Sequence, residues 1–543
     1  MTPHPDRTVL RGGTVVDGTG APAREADVEI VAGRIGVIGD IPARDGDHVV
    51  DCAGRLVMPG FIDAHAHADG AVFDPEVQLA LLRQGITTVI GGQDGVSYAP
   101  GDGVWAGRYF AAINGPHPTY AGGGVAELLR TYDGTTPLNV GYLVPAGTVR
   151  HEVMGMATDR ADAAQLARMQ RLVADGLEAG ALGLSTGLDY VPGIFADADE
   201  LAQLCVPVAA AGALYVTHMR GGYETNTAAG LREVVEICSG GKAHAGVRGH
   251  VSHLHVDAAD ADVLLAEAAA SGADLSFDMY PYTRGCTLVS MAVLPPEYSA
   301  LDVDDAVARL SDTAERGRLR GEWFPTVTHK PSLGPDWPRM IRIGHTPAAH
   351  WAWAAGLTLA EIAERRQTSV EEATLDLLVA GRMEVNAVMA VRDERPVENL
   401  ARLFAHPGHT GGSDGIFVGA VPHPRAWGAF ARFLGAYVGR SFTWEGAAVH
   451  LAARTAERFG LAGRGILRAG AAADIAIVDA AIVTDAATYE DPRQPARGID
   501  DVFVNGTRVL RDGELTGVLA GRGLRRAPLT AHLSPRVAAS GTV

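Results

Sequence analysis

Two histidines two residues apart, His65 and His67 in GFIDAHAHAD, put both imidazoles on one face of a strand, because strand side chains alternate with period two. Packing alone does not readily account for two imidazoles converging at a strand end, whereas zinc and similar ions prefer such nitrogen donors. Two more donors stand in later apolar runs, His218 in ALYVTHMR and His253 in GVRGHVSHLH. In the second run His253 and His255 share a face while His250 points away. That periodicity makes His250 the structural histidine and leaves His255 evenly divided between substrate contact and packing. Asp414 in HTGGSDGIF lies among glycines that let backbone approach a ligand closely and leave the carboxylate open. A turn-forming aspartate is the plain alternative. Beside a metal-activated water, the same carboxylate would take the water's proton and later protonate a leaving amine.

Such residues need a scaffold that gathers strand ends. Short apolar runs alternate with alanine-rich helical segments: GFIDAHAH, ITTVIGG, LNVGYLVP, ALGLST, ALYVTHMR, GVRGHVSHL, ADLSFDMYPY and the run before GGSDG. The alternation predicts parallel βαβ units, and eight strands favour a closed (β/α)8 barrel of TIM type, with the polar residues at the C-terminal strand ends where barrel sites lie. The barrel is expected over 58–455. Segments before 58 and over 456–530 read instead as short strands and turns, with Asn505-Gly506 a hairpin signal. They imply a small β-sandwich domain built from both chain ends, 1–57 and 456–530, followed by a tail over 531–543. From about 285 to 380 the rhythm breaks into Pro- and Trp-rich sequence and then helical material, which reads as an insertion over the barrel mouth, with the lid at about 285–345.

Composition narrows the function. A chain of 543 residues, 47% hydrophobic, can bury a large core, and a net charge of −18 gives a polyanion such as nucleic acid no help. No window is long and apolar enough for a membrane span, and MTPHPDRTVLRGG lacks a signal-like apolar stretch, so a cytoplasmic protein is expected. Cys52, Cys205, Cys238 and Cys286 are far apart and read as buried free thiols. Two motif matches are set aside. GLSTG fits the nucleophile-elbow pattern, but the following LDYVPG is a loop rather than a helix, so Ser185 is expected to be structural. AGGGV near residue 121 lacks the lysine and the preceding strand of a phosphate loop and reads as a turn.

Taken together these residues resemble the amidohydrolase superfamily, and within it the N-acyl-D-amino-acid deacylases, over nearly the whole chain. The resemblance rests on PGFIDAHAHAD, GALGLSTGLDYVPG, YVTHMR, VSHL, DMYPYTRG, GGSDG and HPRAWGAF, with GILRAGAAADIAIVD and VFVNGTRVLRDG typical of the C-terminal β segment. It implies zinc-dependent hydrolysis of the amide of an N-acyl-D-amino acid, a small-molecule substrate, with one or two Zn2+ ions. His218 and His253 would bind the tighter ion, His65 and His67 the weaker or optional one, and Asp414 would be the catalytic aspartate.

Two departures follow. Where relatives carry a cysteine in a sequence resembling GNCGVSLAP, this chain reads GGQDGVSYAP and offers Asp94, a harder oxygen ligand able to bridge two ions. A carboxylated lysine on the fourth strand is closed to it, because lysine occurs only at Lys242 and Lys330, neither on a core strand end. Where relatives have SHLK or SHHK, this chain has SHLH, leaving His255 to meet the substrate carboxylate. Tyr190, Tyr280 and Tyr282 match family tyrosines near that carboxylate. Arg220, Arg284 and Arg425 are cations nearby by motif position, with pairing to an acid behind the site their expected role. The rival readings are a cyclic amide (hydantoin or imide) hydrolase, a silent scaffold that kept the fold, and a metal-free hydrolase using Ser185. The sequence leaves oligomeric state open.

Overall fold

The eight runs read from the sequence form one parallel sheet in the computed structural model, which describes residues 7–526 apart from 224–225, 242, 245, 329–332 and 392–393. In chain order the barrel strands are Phe61–Asp63, Ile86–Gly91, Asn139–Pro145, Gly183–Gly187, Leu214–His218, Arg248–Val251, Leu275–Met279 and His409–Gly411, each paired with the next. Ile86–Gly91 and Asn139–Pro145 are buried at every residue, as strands covered on both faces must be. The first and eighth strands meet through Ala64 N–H donating to Gly411 O at 3.0 Å and through a short parallel pairing of Ala66–His67 with Gly415–Ile416. Asp63 reinforces this seam by accepting from the backbone N–H of Ser413 at 2.8 Å and from the Ser413 hydroxyl.

The outer helices begin where the sequence supplies caps. Asp162 accepts from Ala164 and Gln165 N–H, both at 2.8 Å, and Gln165 reaches back to Asp162 N–H, opening helix Ala163–Glu178. That helix buries Met169, Val173 and Leu177, a stripe at helical spacing, against the barrel. No helix among the described residues is long and apolar enough to cross a membrane.

Both chain ends meet in a nine-stranded sheet, where Leu56–Pro59 pairs antiparallel with Ile475–Val478. The sheet forks at Arg7–Val15, whose first half pairs with His48–Asp51 and whose end pairs with Leu56–Pro59, and it packs its own core of Leu10, Val28, Val57, Ile475 and Phe503. Its last strand is Glu514–Leu515. The segment beyond, expected in the small domain up to 530, returns to the barrel: Val140 N–H donates to Arg522 O at 2.9 Å and Leu524 N–H to Val140 O at 2.7 Å. The reason is an open edge. The fourth strand pairs with the third only from Leu143 onward, so the start of the third strand needs another partner. The expected tail, 531–543, lies outside the described residues, as do Lys242 and Lys330.

The insertion between the seventh and eighth strands, read from the sequence over about 285–380 with its lid at about 285–345, includes a strand at Asn386–Met389. Gly285–Leu288, Asn386–Met389 and Ile341–His345 form a three-stranded antiparallel sheet with Asn386–Met389 at its centre. Helices Leu359–Arg366 and Val370–Ala380 place Leu359, Ile362, Leu375 and Leu378 in one core with Ile341, Ile343 and Val293. The module closes only when the strand at 386–389 returns, which an alanine-rich helical segment read by itself does not reveal.

Candidate metal centre

His65 and His67 follow the first strand, His218 ends the fifth, and His253 lies two residues beyond the sixth. Asp94 and Asp414 come from the loops after the second and eighth strands. All six are buried at the C-terminal end of the barrel, His65 completely so. Three of them hold their side chains by left-handed backbone, which costs a non-glycine residue free energy and concentrates at functional sites: Asp94 at φ 54°, His253 at φ 34° and Asp414 at φ 47°.

The Asp94 loop is braced from the fourth strand. A Cβ on Gly187 would stand 2.1 Å from Asp94 O, so only glycine lets the loop approach this closely. Ser185 donates its hydroxyl to Gly92 O and accepts from Gly95 N–H at 3.2 Å. The GLSTG serine thus clamps both flanks of Asp94. On the other side a Cβ on Gly412 would meet the Asp278 carboxylate at 2.7 Å, which accounts for the glycine before Ser413 and Asp414.

The Asp94 carboxylate stands among four imidazoles. Its Oδ1 lies 3.6 Å from His65 Nε2 and 3.9 Å from His253 Nε2, and its Oδ2 lies 3.6 Å from His67 Nε2 and 3.9 Å from His218 Nδ1. Asp414 Oδ1 is 3.3 Å from His67 Nε2 and 3.7 Å from His65 Nε2. Most of these separations are too long for hydrogen bonds. They are near the spacing of two donors on one tetrahedral ion, about 3.3–3.6 Å for ligand distances of about 2.0–2.2 Å. Both ring nitrogens of His65 and Asp94 Oδ1 are buried without a hydrogen-bond partner, the condition a metal relieves. Two overlapping groups, His65, His67 and Asp414, and His65, Asp94 and His253, each bring their ligand atoms close enough to hold an ion.

Burial pushes His67 toward its neutral form, but Asp414 and Asp94 outweigh it and hold its pKa up at about 10. Burial would likewise raise Asp94, and the surrounding imidazoles, His65 foremost, keep it well below the usual carboxylate range. The protein alone thus balances its carboxylates with imidazolium protons. A divalent cation would take over that role and release them.

A second layer orients these groups, and sequence reasoning missed most of it. Asp278 lies 3.5 Å from His65 Nδ1, 3.1 Å from His250 Nε2, and accepts from His253 N–H at 2.9 Å. His250 therefore holds Asp278, with its Nδ1 2.7 Å from Ser276 Oγ. Asp189 stands 3.1 Å from His218 Nε2, leaving His218 Nδ1 toward the cluster, and Asn114 Oδ1 meets His67 Nδ1 at 2.9 Å. Carboxylates and carbonyls in this position fix the tautomer of a ligating histidine. Asp278 and Asp189 sit inside DMYPY and GLDY, where the tyrosines drew attention; an aspartate at or just beyond the end of an apolar strand run was the available signal.

Arg425, fully buried, forms an ion pair with Asp414 Oδ2 at 2.8 Å and stacks 4.4 Å from the Tyr280 ring centre. Burial opposes ionisation of Asp414, yet Arg425 and the histidines hold its pKa down at about 2. Arg220 pairs with Glu233 at 3.1 Å and donates to Ile194 O at 2.7 Å.

A cavity of about 530 Å³ opens over the cluster, with His67, Asp94, His218, His253 and Asp414 in its floor and Tyr190, His255 and Tyr280 in its walls. His253 and His255 both face it, although the strand ends at Val251, so the left-handed turn at His253 rather than strand alternation brings them there. Tyr282 and Arg284 do not face it. Tyr282 lies 3.3 Å from Asp485 under the Arg432 guanidinium, and Arg284 pairs with Glu394 at 3.2 Å and stacks on Tyr489. The seventh strand ends at Met279, and Tyr282 N–H closes an i to i+2 turn onto Tyr280 O at 2.9 Å. The turn resets the alternation and sends the two residues to the side of the C-terminal segment.

The sequence profile of the amidohydrolase family matches residues 48–510. The chain is 35% identical to an N-acyl-D-glutamate deacylase of Alcaligenes xylosoxydans xylosoxydans over 512 residues, 92% of this chain and 93% of that one. It is 32% identical to a D-aminoacylase of the same organism over 536 residues, 96% and 98% of the two chains. The crystal structure of an N-acyl-D-glutamate deacylase from Bordetella bronchiseptica, complexed with zinc and a phosphonate mimic of the tetrahedral intermediate, superimposes with a TM-score of 0.78 at 31% identity, covering 96% of this chain and 100% of that one. With a barrel that gathers four histidines around a carboxylate at its mouth, and a profile match across most of its length, this chain belongs to the amidohydrolase family.

Proposed function

We propose that this protein is a zinc-dependent hydrolase of the amide bond of N-acyl-D-amino acids. The observation that carries the reading is the convergence of His65, His67, His218 and His253 on Asp94, with Asp414 alongside on the cavity floor. His65 and His67 would serve one metal position and His218 and His253 another, with Asp94 between them. Zinc held there supplies a Lewis acid that lowers the pKa of water and polarises a carbonyl.

The chain's own part is positioning and proton transfer. Arg425 anchors Asp414 through Oδ2, leaving Oδ1 beside the histidines to take the proton of the attacking water. The water oxygen bonds to the acyl carbon, the C–N bond breaks, and Asp414 returns the proton to the departing nitrogen. The products are a carboxylate and a free amino acid. Tyr190, His255 and Tyr280 stand in the cavity wall, where a substrate carboxylate would meet them. Preference for the D enantiomer is drawn from the deacylases to which the chain is similar. A cytoplasmic setting is part of the same reading, supported by four free cysteines, three of them buried.

Amine release from N-acetyl-D- and N-acetyl-L-amino acids of matched side chain tests this. D-selective release supports the reading; ring opening of hydantoins to N-carbamoyl amino acids, with no amine released from N-acyl amino acids, would move the activity to cyclic amides.

A further inference from the structure

Asp94 is held in a conformation that its own loop does not favour. Gly92, Asp94 and Gly95 have φ of 73°, 54° and 70°, so three residues of the turn are left-handed and one of them is not glycine. The surroundings must offset that strain. Ser185 braces the loop from the fourth strand. The brace on the other side is Asp69, the aspartate of HAHAD two residues beyond His67, which the proposed chemistry does not use.

Asp69 is buried, and a single oxygen of its carboxylate accepts from both flanks of the loop. Asp69 Oδ1 takes Gly92 N–H at 2.8 Å and the Ser97 hydroxyl at 2.7 Å. Both donors are fixed in turn. Ser97 N–H donates to Thr148 Oγ1 at 3.2 Å, and the Thr148 hydroxyl donates back to Ser97 O at 2.8 Å. The backbone of Asp69 is fastened as well, its carbonyl accepting from the Tyr132 hydroxyl at 2.9 Å. One carboxylate oxygen thus ties the segment that carries His65 and His67 to the loop that carries Asp94. Across this tie Asp94 Oδ1 stands 3.6 Å from His65 Nε2 and Asp94 Oδ2 3.6 Å from His67 Nε2. The other oxygen, Asp69 Oδ2, is buried without a hydrogen-bond partner, so the hold on the loop belongs to Oδ1.

We propose that Asp69 is a positioning residue: through Oδ1 it sets the place of Asp94 against His65 and His67, and with it the zinc affinity of the cluster. Asp69 belongs to neither ligand group and does not line the cavity, so it acts through Asp94. The inference rests on the metal reading given above and deepens it. Without the Oδ1 acceptor the loop relaxes on that side, while the histidines keep the places that the first strand gives them.

Two variants separate placement from charge. Asp69→Ala removes the acceptor, whereas Asp69→Asn keeps an oxygen for Gly92 and Ser97 and puts an amide nitrogen where the oxygen has no partner. The measurement is competitive chelator titration of zinc on the full chain, wild type and both variants. The visible spectrum of the Co2+-loaded proteins reports ligand geometry, and melting temperature reports folding. The alanine variant should bind zinc about 10–100-fold more weakly with an altered Co2+ spectrum, and the asparagine variant should restore both. Wild-type affinity and spectrum in the alanine variant overturn the inference, as does equal weakening in the two variants, which would make the negative charge what Asp69 supplies. If the alanine variant does not fold, Ser97→Ala, which removes the hydroxyl donor at the far flank of the loop, should weaken zinc in the same direction, and unchanged affinity there overturns the inference. A wild-type protein that binds no zinc overturns the metal reading itself.

Discussion

Asp94 stands where each of two metal positions would need an oxygen, its two carboxylate oxygens each facing one histidine of either pair. Asp94→Ala should therefore lose at least one equivalent of zinc, while Asp94→Cys, which substitutes a softer ligand in the same loop, should retain it; metal analysis of the purified variants decides. Asp414→Asn removes the carboxylate proposed to accept the water's proton without removing an imidazole, and turnover should fall by about 10²–10⁴-fold with metal content unchanged. Retained turnover would assign the proton transfer to another group. The histidines and Asp414 were legible in the sequence because two-residue spacing and glycine context act locally. Tyr282 and Arg284, singled out by motif position, stand outside the cavity, Tyr282 beyond the turn that follows Met279 and Arg284 paired with Glu394 as a cation behind the site would be. Arg395 was invisible, since it reaches His255 from 140 residues away in sequence.

At the scale of elements, the site depends on carboxylates that tie strands together. Asp278 on the seventh strand reaches His65 after the first strand and the backbone of His253 after the sixth. Asp278→Ala should weaken zinc affinity by about 10–100-fold while leaving the ligands themselves in place, as a competitive chelator titration would measure. Unchanged affinity would make Asp278 a packing residue only. The eight barrel strands were readable because fully buried parallel strands are short apolar runs between helices. The end of the inserted module was not, because its central strand, Asn386–Met389, closes a sheet begun a hundred residues earlier.

The whole molecule is a barrel with two attachments, each on its own core. In the module, Glu315 gathers Arg318, Arg309 and the Tyr298 hydroxyl, and these hold its pKa down at about 2 from 4.5. A depressed carboxylate contributes stability that is present above its ordinary pKa and lost as pH falls through the folded value. Glu315→Gln should thus lower the melting temperature near neutral pH, and the difference from wild type should shrink between about pH 4.5 and 2. A difference independent of pH would mean that Glu315 acts by packing alone.

In the function proposed above, metal held by the histidine and aspartate cluster is what makes this barrel an amide hydrolase. The measurement that tests it most directly is titration of chelated protein with zinc while amine release from an N-acetyl-D-amino acid is followed. The expected result is no turnover in the chelated protein and activity regained in step with the first one or two equivalents bound. Full turnover in protein shown to be metal-free would contradict it.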